Sequence, residues 1–217
     1  MTDTDETPGV YASSPCFAHE LESTRDGYTV TDPQTAIDVA RWRKAERTRL
    51  LAERRAFSRD HLIRTAATIT EKLDRLIGSQ QDLAISVYWP IKGELDLRPW
   101  MQALSARSIT VLLPVILEKG TPIRFHRWTP GCRMVAGFWN IPVPEEGEEL
   151  VPDICIVPLV GYDGQNYRLG YGGGYFDRTL ASLSPAPMTY GIGHVSSALP
   201  TIFPQPHDIP MDRIVTA

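Results

Sequence analysis

The feature that most constrains this chain is a three-part run near its C-terminal end. The apolar stretch ICIVPLV (154–160) leads into the loop GYDGQNYRLGYGGG, which leads into YFDRTLASL. The first part is short, apolar and rich in β-branched residues, the pattern of a buried strand. The last has neither Gly nor Pro and reads as a helix. In an open α/β sheet, the loop leaving the C-terminal end of a strand is where ligands bind. Four of the five residues 170–174 are glycine, and each costs conformational entropy on folding. Successive glycine amides ending at a helix N-terminus form a concave set of donors suited to a phosphate. Gly170, Gly172, Gly173 and Gly174 are therefore candidate phosphate-binding positions. Arg168 and Arg178 flank them with charge, and Tyr171, Tyr175 and Phe176 supply flat surfaces for a ring.

Two familiar phosphate loops do not fit. A Walker A loop ends in Gly-Lys-Ser/Thr, whereas this loop ends in Gly-Tyr-Phe. The dinucleotide fingerprint G-x-G-x-x-G, started at Gly170 and Gly172, puts its third glycine on Tyr175.

The rest of the chain supplies the sheet that such a loop requires. Residues 36–58 contain only good helix formers, without Pro or Gly. Ser58 and Asp60 offer caps for a second helix, in which Leu62, Ala66, Ile69, Leu73 and Leu76 recur at helical spacing before Gly78. Buried strands are predicted at LAISVYW (83–89), ITVLLPVI (109–116) and MTYGIGH (188–194), the last taken as the final core strand. IRFHRW (123–128) alternates as a half-exposed strand does, and LRPWMQALSA reads as a helix with Leu97, Trp100, Met101 and Leu104 inward. Strands alternating with helices predict an α/β fold: an open, mostly parallel sheet with helices on both faces. Residues 36–217 form this domain. Residues 1–35, rich in Thr, Asp, Ser and Pro, read as an extension, disordered or draped on the body through Phe17 and Leu21. Cys16 and His19 are too few ligands to close a zinc site.

Composition narrows the function. A formal charge of -4 over 217 residues argues against a nucleic-acid or membrane-surface partner. No apolar run spans a bilayer, and the acidic start MTDTDETPG is not a secretory signal. Three scattered cysteines without a CxxC fit a cytoplasmic protein with reduced thiols. Asp177, in the first turn of the last helix, is favoured there by the helix dipole alone. Beside bound phosphates it would hold magnesium, with Asp208 as a second carboxylate and Asp212 four residues on. Arg43 and Arg47 share a helix face, with Lys44 beside Arg47. Glu94 follows a buried strand at the ligand-binding edge.

Four segments, in order, resemble the 5-formyltetrahydrofolate cyclo-ligase family: RWRKAERTRLLAERRAFS, VYWPIKGELD, VPLVGYDGQNYRLGYGGGYFDRTL and PHDIPMDRIVTA. The resemblance spans about residues 40–217 and implies a Rossmann-like fold of the NagB/RpiA/CoA-transferase kind. It also implies ATP- and magnesium-dependent conversion of 5-formyltetrahydrofolate to 5,10-methenyltetrahydrofolate, with ADP and phosphate released. By resemblance, the nucleotide-binding helix falls on Arg43, Lys44 and Arg47, and the phosphate cradle on Arg168 through Tyr175. The magnesium carboxylates fall on Asp177 and Asp208, the catalytic set on Arg168, Tyr175 and Asp177. The folate site falls on Glu94 with Trp89, Tyr171 and Tyr175. A monomer acting on ATP and a reduced folate is expected.

The sequence departs from the family pattern in three places. Arg43 stands where lysine is common. Val143, in FWNIPVPEEG, stands where a glutamate is expected, and the extension is additional. These departures leave two rivals, a diverged paralogue acting on another small molecule and a non-catalytic folate- or nucleotide-binding protein. A nicotinamide-dependent oxidoreductase is disfavoured by the failed fingerprint.

Overall fold

The computed structural model describes residues 21–24, 27–30 and 33–217. The Cys16–His19 pair and the docking of Phe17 lie outside the described residues. A short hairpin, β1 (Leu21–Thr24) with β2 (Gly27–Val30), comes first. Helix α1 spans Pro33–Ala56, so it starts three residues ahead of the expected boundary. Its first residue is a proline, whose fixed φ suits a first helical turn. Helix α2, Arg59–Ile77, is bounded as its sequence predicts. The Ser58 hydroxyl accepts from the His61 amide, and Gly78 closes the helix at φ 65°.

The following elements are β3 (Ala84–Ser86), α3 (Arg98–Ala106), β4 (Thr110–Val115), β5 (Arg124–Trp128), β6 (Met134–Ala136) and β7 (Pro142–Pro144). After them come β8 (Ile154–Pro158), β9 (Gly161–Tyr162), β10 (Arg168–Leu169), α4 (Tyr175–Ser182), β11 (Met188–Gly193) and β12 (Arg213–Thr216). Six strands form the main sheet in the order β12-β11-β8-β3-β4-β5. All neighbours are parallel except the β4–β5 pair. The sheet is thus mixed but mostly parallel, the predicted α/β class.

Alternation along the strands divides the core. Ile85, Val111, Leu113, Ile154 and Ile156 pack against Ile69, Leu73 and Ile77 of α2 and Trp100, Met101 and Leu104 of α3. Leu112, Cys155 and Val157 point the other way, with Phe125, Leu180 of α4 and Met211. Helices therefore cover both faces. Helix α1 lies apart from these layers. Its Val39, Trp42 and Leu50 meet Val160, Leu169, Leu199, Ile202 and Phe203.

Two expectations need correction. MTYGIGH is not the final strand: β12 pairs along its outer side, from Tyr190↔Arg213 to Gly193↔Thr216. The run RIVT is short and half-exposed, so it lacks the apolar signature of an inner strand. Strand β3 is also shorter than 83–89. The Val87 amide still bonds Leu112 O at 2.9 Å, but Tyr88 then turns its hydroxyl to Leu95 O at 2.9 Å and folds the loop back.

Candidate functional site

The C-terminal ends of β3, β4 and β8 open into a cleft of about 1090 Å³, walled by α1, the glycine loop and the turn between β6 and β7. Strand β8 leaves the sheet at Pro158, and the β9–β10 hairpin then returns the chain to the cleft. Asp163 fixes that return: its Oδ1 accepts from the Gln165 and Tyr167 amides at 3.0 and 3.1 Å, and its Oδ2 from Ile202 at 3.1 Å.

One end of the cleft is built from two buried ion pairs. Arg43 Nη2 meets Asp208 at 3.0 Å, and Arg168 Nη2 meets Asp177 Oδ2 at 2.8 Å. The Arg43 and Arg168 Nε atoms are buried without a partner, so both guanidinium groups retain hydrogen-bonding capacity. Burial lowers the Arg168 pKa, against the opposing influence of Asp177 and Asp208. Arg47 Nε donates to Gly170 O at 2.7 Å, and burial with Arg43 nearby lowers its pKa too. Lys44 lines the same end and is exposed. Arg43, Lys44, Arg47, Arg168, Asp177 and Asp208 are thus brought together as the sequence predicts. Two other candidates are not. Arg178 borders Gly174, its Nη2 3.7 Å from where a Cβ there would stand, but it lies over the Tyr175 ring, 5.6 Å from the centroid, and does not line the cleft. Asp212 accepts from the Thr189 amide and hydroxyl at 2.7 and 2.8 Å, and so clamps β11 to the chain entering β12.

The glycines answer mainly to their neighbours. A Cβ on Gly170 would stand 2.6 Å from Arg168 Nη1, and one on Gly173 would stand 2.8 Å from the Tyr175 ring. Gly172 and Gly174 hold positive φ, 95° and 62°, and Gly174 caps α4 in the left-handed region. The loop is small-residued so that an arginine, an aromatic ring and the main chain can share one confined place.

In the same cleft, Glu94 is held by its own turn and by Tyr171. Its Oε2 accepts from the Ile91 amide at 2.9 Å, and Tyr171 Oη donates to Oε1 at 3.0 Å. Arg54 Nη1 donates to Tyr171 Oη at 3.1 Å, while its Nη2 donates to Leu159 O. Burial pushes the Glu94 carboxyl up to about 7, against the downward pull of the Ile91 amide and the Tyr171 hydroxyl. Burial also raises the Tyr171 and Tyr88 hydroxyls, so both remain protonated donors. Trp89 forms half-buried wall under the Arg98 guanidinium, 5.2 Å from its ring centroid.

Sequence reasoning missed Arg54 and Trp139. Arg54 lies seven residues after Arg47, two turns along the same face of α1, so a signal was present. Trp139 tips the β6–β7 hairpin in the left-handed region at φ 55°, is 64% exposed and meets the Tyr175 ring edge-on at 5.3 Å. An aromatic residue there carries no sequence signal. Val143 is buried on β7, where a Cβ on Gly137 would approach its methyl groups to 3.0 Å.

Among the described residues, no group of three or more His, Cys, Asp and Glu side chains could hold a metal alone. Magnesium needs fewer, since phosphate oxygens and water complete its shell. Asp177 and Asp208 offer hard oxygen donors lining one cleft, a donor set that suits an ion arriving with a nucleotide.

The 5-formyltetrahydrofolate cyclo-ligase family profile matches residues 39–217. A Haemophilus influenzae 5-formyltetrahydrofolate cyclo-ligase is 31% identical over 160 residues, 68% of this chain and 83% of the relative. The Escherichia coli K12 protein of the same name is 29% identical over 140 residues, 61% of this chain and 76% of the relative. Two solved 5,10-methenyltetrahydrofolate synthetases superpose well. The Mycoplasma pneumoniae structure has a TM-score of 0.66 at 25% identity, covering 80% of this chain and 97% of that one. The Aquifex aeolicus structure has a TM-score of 0.69 at 28% identity, covering 80% and 89%.

Proposed function

The chain belongs to the 5-formyltetrahydrofolate cyclo-ligase family, and from that premise we propose how its cleft performs the family's ATP-dependent ring closure. The activity is closure of 5-formyltetrahydrofolate to 5,10-methenyltetrahydrofolate. The formyl oxygen is a poor leaving group, so it needs activation. The γ-phosphoryl group of ATP passes to that oxygen and ADP leaves. N10 of the folate then attacks the activated carbon, phosphate departs, and the N10 proton is lost.

Phosphoryl transfer asks a protein for positioning and charge neutralisation, with no covalent nucleophile. In this reading Arg43, Lys44, Arg47 and Arg168 take the triphosphate against Gly170, Gly172, Gly173 and Gly174. Asp177 and Asp208 would hold the magnesium ion that accompanies the co-substrate ATP, and that ion would supply neutralisation of phosphate charge. The folate lies between Trp89, Glu94, Tyr171 and Tyr175. Glu94, ionised above a pH of about 7, takes the N10 proton, and Tyr171 and Arg54 hold its carboxylate in place. Residues 36–217 form the working domain. The reading takes the chain as a cytoplasmic monomer; no described helix is long and apolar enough to cross a membrane.

The observation that carries this reading is that two buried arginine–aspartate pairs and the buried Glu94 carboxyl, raised to about 7, line one cleft. The test is to mix the protein with MgATP and 5-formyltetrahydrofolate and follow the methenyl product by its near-ultraviolet absorbance. Turnover that needs both substrates supports it. ATP binding without turnover refutes the assigned folate end, and absence of both refutes the whole cleft assignment.

A further inference from the structure

Tyr88, Glu94 and Pro158 line the main cleft, and they also line a second cavity of about 10 Å³. Arg54, Leu95, Leu159, Ile192, Gly193 and His194 complete its walls. This volume is the size of one water, which is retained only where several polar partners surround it. His194 is 5% exposed, and neither of its ring nitrogens has a partner. A neutral imidazole has one donor and one acceptor nitrogen, so a buried His194 leaves both requirements open. Native interiors rarely leave such groups unpaired except where water meets them. Packing keeps the ring in place: Phe57 lies 4.4 Å from it, and the His61 ring stacks at 5.5 Å and 18°.

We propose that His194 is a positioning residue for the ring closure: it anchors one water in this cavity, and that water donates to Glu94 and favours the ionised carboxylate. The inference rests on the assignment of Glu94 above. It uses a group absent from the proposed chemistry and reached from the rear of the site. The groups facing His194 are Arg54 from α1, His61 from α2, and Tyr88 and Glu94 from the loop after β3; Tyr171 joins through its bond to Glu94. Burial, with Arg54 and His61 nearby, pushes His194 down to about 4. It therefore stays neutral throughout the range in which Glu94 titrates. A neutral ring can hold the water without adding a second charge change.

The test compares the pH profile of kcat/KM for 5-formyltetrahydrofolate in the parent, His194→Phe and His194→Gln, with ATP affinity and thermal stability measured alongside. Phenylalanine keeps a planar ring but cannot anchor water; glutamine can. Loss of one hydrogen bond to the charged form moves the limb governed by Glu94 upward by about one pH unit in His194→Phe. ATP affinity stays within about twofold, and His194→Gln returns the limb towards the parent position. A merely structural role would lower stability without moving the limb. If the phenylalanine variant does not fold, the smaller His194→Leu serves the same comparison. A folded variant with an unmoved limb overturns the inference and leaves the proposed function standing. A parent without turnover overturns both.

Discussion

Asp177→Asn separates two jobs of one carboxylate, the ion pair it makes with Arg168 and the magnesium ligation proposed for it. Asp177 is 13% exposed and pairs with an Arg168 side chain that is 5% exposed. Its other oxygen accepts from the Ile209 amide at 3.3 Å. Removing one partner of a buried pair leaves the other charge uncompensated, at a cost of about 3–5 kcal/mol. Asparagine keeps one oxygen acceptor, so the lower end, about 3 kcal/mol, applies. For a chain of this length each kcal/mol moves Tm by about 2–4 °C, giving a fall of about 6–12 °C. Thermal unfolding followed by tryptophan fluorescence reads it, in buffer, with ATP, and with MgATP. ATP at a hundredfold over its Kd adds about 2.7 kcal/mol to either protein. Magnesium should add a further increment only in the parent. An unchanged Tm in buffer would refute the ion-pair argument, and a retained magnesium increment would refute Asp177 as a metal ligand.

Three other outcomes are expected. Glu94→Gln lowers kcat about 10²-fold, the usual share of a positioned base, and removes the rise of kcat/KM with pH through about 7; in Tyr171→Phe that rise shifts to higher pH, since the lost hydroxyl favoured the ionised form. Gly170→Ala displaces the Arg168 guanidinium and weakens ATP binding about tenfold, or about 1.4 kcal/mol, as titration calorimetry would read. Burial pushes His194 down from its ordinary 6.5 to about 4, so its contribution to stability is complete above 6.5 and is lost as pH falls through about 4. Glu94, raised instead, acts oppositely, favouring the fold below 4.5 and losing that share as pH rises through about 7. Urea midpoints of the parent and His194→Phe across pH 4–7 isolate the histidine, and parallel curves would count against it.

The sheet was legible because its inner strands are uniformly apolar: Ile154, Cys155, Ile156 and Val157 are buried on both faces. The outer strand β12 was not, since a half-buried edge needs little apolar character. Helix α1 was legible as a helix but not by its buried face. Thr35, Arg43, Glu46 and Arg54 share that stripe with Val39, Trp42 and Leu50, which hides it from a search for apolar periodicity. The charged members are readable only once Asp208, Tyr171 and Leu159 O are known to face them. The same limit applies to His194, whose setting depends on the rings of Phe57, just after α1, and His61 of α2. Residues named from the glycine loop and the basic helix did converge on one cleft, the arrangement expected if both patterns serve one ligand.

Arg43 and Asp208 are 165 positions apart, and the apolar residues Val39, Trp42 and Leu50 of α1 cluster with Val160, Leu169, Leu199, Ile202 and Phe203. During synthesis the helix therefore emerges long before anything that can cover its apolar stripe. It must wait, as an exposed adhesive surface, until Leu199, Ile202 and Phe203 leave the ribosome. The cleft thus closes only after residues 199–208 have been made, and a pause before them would leave a largely built sheet with an unsheltered helix for chaperones to hold.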